Sequence, residues 1–310
     1  MRPVPPACRS ILETIGRTPL VQLRRVAPGG DARVWAKLEG FNPLGSVKER
    51  IALAMIEAAE TRGDLKPGMT LLEASSGNTG IGLAMVGAVK GYPVLITMAH
   101  SASEERRCML AALGAEVQLT TPAGDSDEAI AMADALQAAT PERFFRVGQY
   151  KNPDNPRAHY EGTAQEIWEQ TGGAIDWLVL VLGTCGTLVG TARRLKELRP
   201  SIRVVAVEPQ PGHEQQGLRN MTEACVPAIM DWSLVDERME VRDQDAIDTA
   251  RVLARREGIL AGISSGTAVF AALQVARRER RGDVVTLLPD RGERYFSNDL
   301  YPARPSGAGR

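Results

Sequence analysis

DWLVLVLGTCGTLVG, residues 176–190, runs without a break from an apolar strand through a glycine-rich turn into helix-forming sequence. A strand with no polar alternation is one buried on both faces, as in a parallel sheet covered by helices. IRVVAVEP (202–209) and DVVTLLP (283–289) have the same character. Outward from these, RVWAKLE (33–39), MTLLEA (69–74), YPVLITM (92–98), AEVQLT (115–120) and RFFRVG (143–148) read as further strands. Helical stretches alternate with them at 48–63, 79–91, 103–114 and 126–139, and then around 158–170, 187–198, 243–257 and 265–280. Gly63, Gly91 and Gly114 fall where helix C-caps are expected. The alternation predicts an α/β fold with mostly parallel sheets. KNPDNPRAHY (151–160) marks a crossing from one domain to another, and residues 301–310 read as a flexible tail.

A chain of 310 residues is long enough for two domains. Hydrophobic residues make up 44%, charged residues 24%, and the formal net charge is −1. Such a balance gives no electrostatic reason to bind nucleic acid or an anionic membrane. The opening MRPVPPACRS lacks the apolar core of a signal peptide and no run reaches membrane-spanning length, so cytoplasmic residence is expected. Cys8, Cys108, Cys185 and Cys225 form no CxxC pair, and His100, His159 and His213 are dispersed, so no metal site is expected.

Three turns between a strand and a helix carry the chemistry, since open α/β sheets bind ligands at the carboxyl ends of their strands. In GFNPLGSVKER (40–50), Lys48 stands at the start of a helix. The positive end of the macrodipole depresses a lysine there and eases formation of the neutral amine that Schiff-base chemistry needs. Spacing alone favours a solvated helix-start lysine. In EASSGNTGIG (73–82), Ser75, Ser76, Gly77, Asn78 and Thr79 offer short donors and backbone amides to an anion such as a substrate carboxylate, or simply cap a helix. In VLGTCGTLVG (181–190), Gly183, Thr184, Gly186 and Thr187 can cradle a phosphate. Neither a Walker A sequence nor a GxGxxG fingerprint occurs, which points to a phosphorylated cofactor rather than a nucleotide.

NPxGSVKxR, SSGNTG, GTxGT and GISSG (262–266) together resemble the cysteine synthase (O-acetylserine sulfhydrylase) family of fold-type II pyridoxal-phosphate (PLP) enzymes. The likeness runs from ILETIGRTPLVQL (11–23) to LLPDRGERYFSNDLY (287–301), and NPDNPRAHYEGTAQEIWEQTGG (152–173) resembles its cysteine synthase B branch. The resemblance implies a tryptophan synthase β-like architecture: two three-layer α/β domains with PLP in the cleft between them. The smaller, substrate-closing domain would comprise 1–12 and 39–150, and the larger one 13–38 and 151–300. It also implies that Lys48 forms the Schiff base and serves as base and acid at Cα. Asn78 would meet the cofactor's ring hydroxyl oxygen. Gly183, Thr184, Cys185, Gly186 and Thr187 would hold its phosphate, and Ser264 would face its pyridine nitrogen. Ser75, Ser76, Gly77, Thr79 and Gln149 would bind the substrate carboxylate. The implied activity is a transferase reaction: β-replacement of O-acetyl-L-serine by a sulfur donor, sulfide or thiosulfate, through an α-aminoacrylate to L-cysteine, in a cytoplasmic homodimer.

One departure bears on the substrate. GLRNMTEA (217–224) resembles the LRNM segment of relatives that use O-phosphoserine and a sulfur-carrier protein, which would set Arg219 against a phosphate. A surface arginine on a mobile loop is the plainer alternative. PDRGERY (289–295) follows the ordinary B branch, which keeps O-acetylserine the first choice. A catalytically silent relative acting as a binding partner is disfavoured by the joint presence of Lys48, Asn78, Gln149 and Ser264.

Overall fold

The computed structural model describes residues 7–75, 77–124, 126–297, 300 and 301. Two strands open the chain, β1 (Leu20–Leu23) and β2 (Asp31–Leu38), and α1 follows at Lys48–Arg62. Next come β3 (Thr70–Ala74), α2 (Asn78–Lys90), β4 (Val94–Met98), α3 (Glu104–Ala112), β5 (Glu116–Leu119), α4 (Ser126–Ala139) and β6 (Phe144–Arg146). The last four of these strands form one parallel sheet in the order β5-β4-β3-β6. Left-handed glycines end α1 and α2, with Gly63 at φ 77° and Gly91 at φ 80°, a conformation that costs glycine no Cβ clash.

After the Asn/Pro-rich crossing the chain forms α5 (Asp154–Ala158), a π turn (His159–Thr163) and α6 (Ala164–Thr171). The single helix expected around 158–170 is therefore longer at its start and widened by one π turn, a feature often found beside functional sites. Then follow β7 (Trp177–Val181), α7 (Gly186–Leu198), β8 (Arg203–Pro209), β9 (Glu237–Val241), α8 (Asp243–Glu257), α9 (Ile263–Glu279) and β10 (Arg281–Leu288). The second sheet has the order β1-β2-β10-β7-β8-β9 and is parallel except for β1, which pairs antiparallel with β2. Residues 20–38 thus belong to the sheet built otherwise from the second half of the chain. Val179, Val205, Val207 and Val284 face one core, while Leu178, Leu180, Val204 and Val285 face the other. The apolar runs of β7, β8 and β10 are the direct consequence of that two-sided burial.

Sequence reading missed β1 and β9, short edge strands whose patterns give no buried run: β1 is LVQL, and β9 is ERMEV with only Val241 buried. Tyr301, assigned above to the tail, instead donates to the Ala261 carbonyl at 2.7 Å, and residues 302–310 of that tail lie outside the described residues. Among the described residues no helix is long and apolar enough to cross a membrane.

Candidate active site

A cavity of about 300 Å³ opens where the chain leaves β3, β7 and β10, each at its carboxyl end. Four helices begin at its wall: Lys48 opens α1, Asn78 opens α2, Gly186 and Thr187 open α7, and Ser264 lies in the first turn of α9. Their amide-bearing ends make the space favourable to an anionic ligand.

Lys48 is fixed by the turn before it. The Ser46 hydroxyl donates to Glu49 (2.7 Å), the other Glu49 oxygen accepts from the Ser46 amide (3.1 Å), and the Lys48 amide donates to Ser46 Oγ (3.2 Å). Ser46 and Glu49 thereby close the turn that leads into α1, with only the Glu-to-Ser amide half of a capping box formed. Burial pushes the Glu49 carboxyl up to about 7, with the Ser46 bonds opposing. The Lys48 amine makes no hydrogen bond or ion pair among the described residues and faces the cavity. Burial lowers its pKa, and the charge of Asp290 opposes that fall.

At the second turn, Ser75 Oγ accepts from the Gly77 (3.3 Å) and Gly80 (3.1 Å) amides and so caps α2. Thr79 Oγ1 donates to Gln149 (2.6 Å), whose amide donates to the Ala74 carbonyl (3.2 Å). Ser75, Gly77, Thr79 and Gln149 all line the cavity, and Ser76 lies outside the described residues. Asn78 lines it too, but its amide is already engaged: Nδ2 donates to Asp290 (2.7 Å) and Oδ1 accepts from Arg294. One Nδ2 hydrogen remains for a ligand.

The third turn is a cradle that glycine alone allows. A Cβ on Gly183 would lie 2.6 Å from the Gly217 carbonyl oxygen, and one on Gly186 would lie 1.9 Å from Asn155 Oδ1. Cys185 between them is left-handed at φ 69°, which turns the loop into α7. Thr184 Oγ1 accepts from Asn155 (3.2 Å), and Thr187 Oγ1 meets His159 Nε2 at 3.2 Å. Burial pushes the Cys185 thiol up to about 12, so it stays protonated and fills space. The closely packed backbone, the two hydroxyls and the start of α7 fit a phosphate group. Asn155 is fully buried and also bonds the Gln149 carbonyl (2.7 Å). Gly186→Ala must push it aside, and we expect cofactor affinity to fall about five- to a hundred-fold with the fold intact. Fluorescence titration of the apoprotein checks this, and unchanged affinity would contradict the cradle.

Arg219 is not on an isolated surface loop. It lines the cavity, stacks over the Tyr150 ring at 4.4 Å and donates to the Tyr150 hydroxyl (3.2 Å). Ser264 is buried at the same cavity. Tyr150, Asp290 and Tyr295 were not singled out from sequence; Asp290 alone had a signal, a charged residue at the carboxyl end of a buried strand in LLPD (287–290).

An unpaired lysine amine sharing one cleft with an anion cradle is the arrangement that enzymes using a phosphorylated carbonyl cofactor require. The family model described as "Pyridoxal-phosphate dependent enzyme" matches residues 11–290. Cysteine synthase B of Escherichia coli (strain K12) is 45% identical over 289 residues, 93% of this chain and 95% of that one. A crystal structure of cysteine synthase from Entamoeba histolytica superposes with a TM-score of 0.93 at 39% identity, covering 99% of this chain and 94% of that one. One of O-ureido-L-serine synthase gives 0.92 at 41%, covering 98% of each. The chain belongs to the cysteine synthase family of fold-type II pyridoxal-phosphate dependent enzymes.

Proposed function

We propose that the chain makes L-cysteine by β-replacement on an activated L-serine, with O-acetyl-L-serine the preferred donor and sulfide the sulfur source; thiosulfate in its place would give S-sulfo-L-cysteine. The observation that carries this reading is the free Lys48 amine in one cavity with the Gly183–Thr187 cradle. Lys48 would hold PLP covalently, Gly183, Thr184, Cys185, Gly186 and Thr187 its phosphate, and Asn78 its ring oxygen. Ser264, a neutral hydroxyl, would leave the pyridine nitrogen largely unprotonated. When bound, PLP supplies an electron sink at the substrate's Cα.

The protein's own groups do the rest. The α2 amides with Ser75, Ser76, Gly77, Thr79 and Gln149 orient the substrate carboxylate. Lys48 Nζ takes the Cα proton as the leaving group departs from Cβ, holds it while sulfur adds at Cβ, and returns it to Cα. We further propose two lobes built on the two sheets, 1–12 with 39–150 and 13–38 with 151–300, and a homodimer. A spectral titration tests the reaction. O-acetyl-L-serine should bleach the bound cofactor's visible band and sulfide should restore it; no response to any activated serine would refute the reading.

A second donor is favoured by the placement of Arg219, whose guanidinium lines the cavity instead of solvent alone. It suits an O-phospho-L-serine leaving group, with sulfide or a sulfur-carrier protein as donor. Losing a hydrogen bond to a charged group costs about 1.5–3 kcal/mol. Arg219→Ala should therefore lower kcat/KM for O-phospho-L-serine roughly ten- to a hundred-fold and leave O-acetyl-L-serine nearly unchanged. Equal effects on both would remove Arg219 from donor recognition.

A further inference from the structure

Asp290 stands at the carboxyl end of β10, 2% exposed, in the wall of the active-site cavity. The backbone holds it beside Lys48 across a gap of more than two hundred residues. Asp290 bridges antiparallel to Ser46, the Val47 amide donates to the Pro289 carbonyl (2.8 Å), and the Arg291 amide donates to the Gly45 carbonyl (3.3 Å). One carboxylate oxygen, Oδ2, accepts from Asn78 (2.7 Å) and from the Tyr295 hydroxyl (2.8 Å). The other, Oδ1, is buried with no hydrogen-bond partner among the described residues. It packs so closely on Gly262, at the start of α9, that a Cβ there would lie 2.1 Å away.

Three carboxylates act on Lys48 through space: Asp290, Glu49 and Glu39, in that order. Glu39 is consumed by Arg50 at 2.6 and 2.9 Å, and Glu49 by Ser46. His159, from the π turn, is a further buried base, and burial together with the charges of Arg50 and Lys48 keeps it neutral. Around Asp290 stand Tyr295 and the cations Arg106 and Arg294, the first over the Tyr295 ring and the second on Asn78. Of the three carboxylates only Asp290 both lines the cavity and keeps an unspent oxygen.

Resting on the role of Lys48 proposed above, we propose that Asp290 is its electrostatic partner: a positioning residue that favours the cationic form of Lys48 Nζ. It would at the same time lock the amide of Asn78 towards the cofactor. After Nζ takes the Cα proton it is a buried ammonium. The fixed negative charge of Asp290 holds that proton on nitrogen until sulfur has added at Cβ, and the proton then goes back to Cα. The proton passes only between Cα and Nζ, and Asp290 takes no part in the transfer.

The test uses the cofactor-loaded protein without substrate. Visible spectra of the parent, Asp290→Asn and Asp290→Ser are recorded from pH 6 to 11, with thermal unfolding measured alongside. Both neutral side chains keep a hydrogen-bonding group near Asn78 and Tyr295 but remove the charge. In both, the visible band of the protonated lysine–cofactor linkage should be lost at least about one pH unit lower than in the parent, the shift expected when an opposite charge is removed. A midpoint unchanged in both variants overturns the proposal, whatever happens to the melting temperature, because it reduces Asp290 to a structural hydrogen-bond acceptor. A parent protein that never acquires the band overturns the cofactor reading itself, and this proposal with it.

Discussion

Lys48→Ala is expected to abolish cysteine formation, lowering kcat by at least about 10⁴-fold. General acid–base catalysis alone contributes about 10²–10⁴, and this substitution also removes the covalent anchor. The loss should be one of chemistry and not of folding. Lys48 makes no ion pair among the described residues, and the Ser46–Glu49 turn that leads into α1 uses the residue 48 amide and not its side chain. The Gly183–Thr187 cradle and Asn78 should still bind PLP, now exchangeable on dialysis and resistant to fixation by borohydride. Turnover near the parent rate would refute the assignment of Lys48. Failure to bind PLP at all would show that the covalent link, and not the cradle, supplies most of the affinity.

The largest expected effect on stability belongs to Arg50, two residues further along α1. Arg50 is 6% exposed, and its guanidinium bonds both oxygens of Glu39 (2.6 and 2.9 Å) and both of Glu166 (2.6 and 2.8 Å). Lys37, fully buried, pairs with the same Glu166 at 2.6 Å. Arg50→Met leaves two carboxylates to share one ammonium. Removing one partner of a buried pair costs about 3–5 kcal/mol, because the remaining charge has lost its solvent and its counter-ion together. Urea unfolding should show this loss, and a change below about 1 kcal/mol would mean that the site relaxes to admit water.

The same cluster sets an acid limit. Burial alone would raise the Glu166 carboxyl, but the hydrogen bonds and charge of Arg50 with the charge of Lys37 outweigh it and hold the group at about 2. A carboxyl depressed from 4.5 contributes stability that is fully present above about pH 4.5 and is lost as pH falls towards 2. The parent should therefore lose stability progressively through that window, and Arg50→Met should lose much less there. An equal slope in both proteins would place the acid sensitivity elsewhere.

These charges show how unevenly the sequence disclosed the molecule. Lys37, Glu39, Arg50 and Glu166 gave no sign of a common network, because each sits on a different element and the pairing spans up to 129 positions, from Lys37 to Glu166. The three strand-to-helix turns were legible because their signals are local: an apolar run, then small residues, then a helix start. For Asn78 the sequence offered a cofactor contact. The fold adds that Asp290 and Arg294 hold its amide first. For Arg219 the sequence left open a mobile surface loop; the fold stacks its guanidinium over Tyr150 at the cavity wall.

By itself, then, the sequence determined the buried strands and the turns and helices that follow them, though not the edge strands β1 and β9, and with them the residues offered to a ligand. Burial on both faces of a parallel sheet writes itself into consecutive apolar residues, and a close backbone turn writes itself as glycine. Only the tertiary structure decided which turns meet. Asn78 and Asp290 are 212 residues apart and touch because β3 and β10, in different sheets, both end at one cleft. Strand order across a sheet is set by long-range packing of whole elements, which no local periodicity records. Lys48 reads as a helix-start lysine in either case; the cavity, the cradle and the carboxylate across from it are what the proposal of a reactive amine rests on.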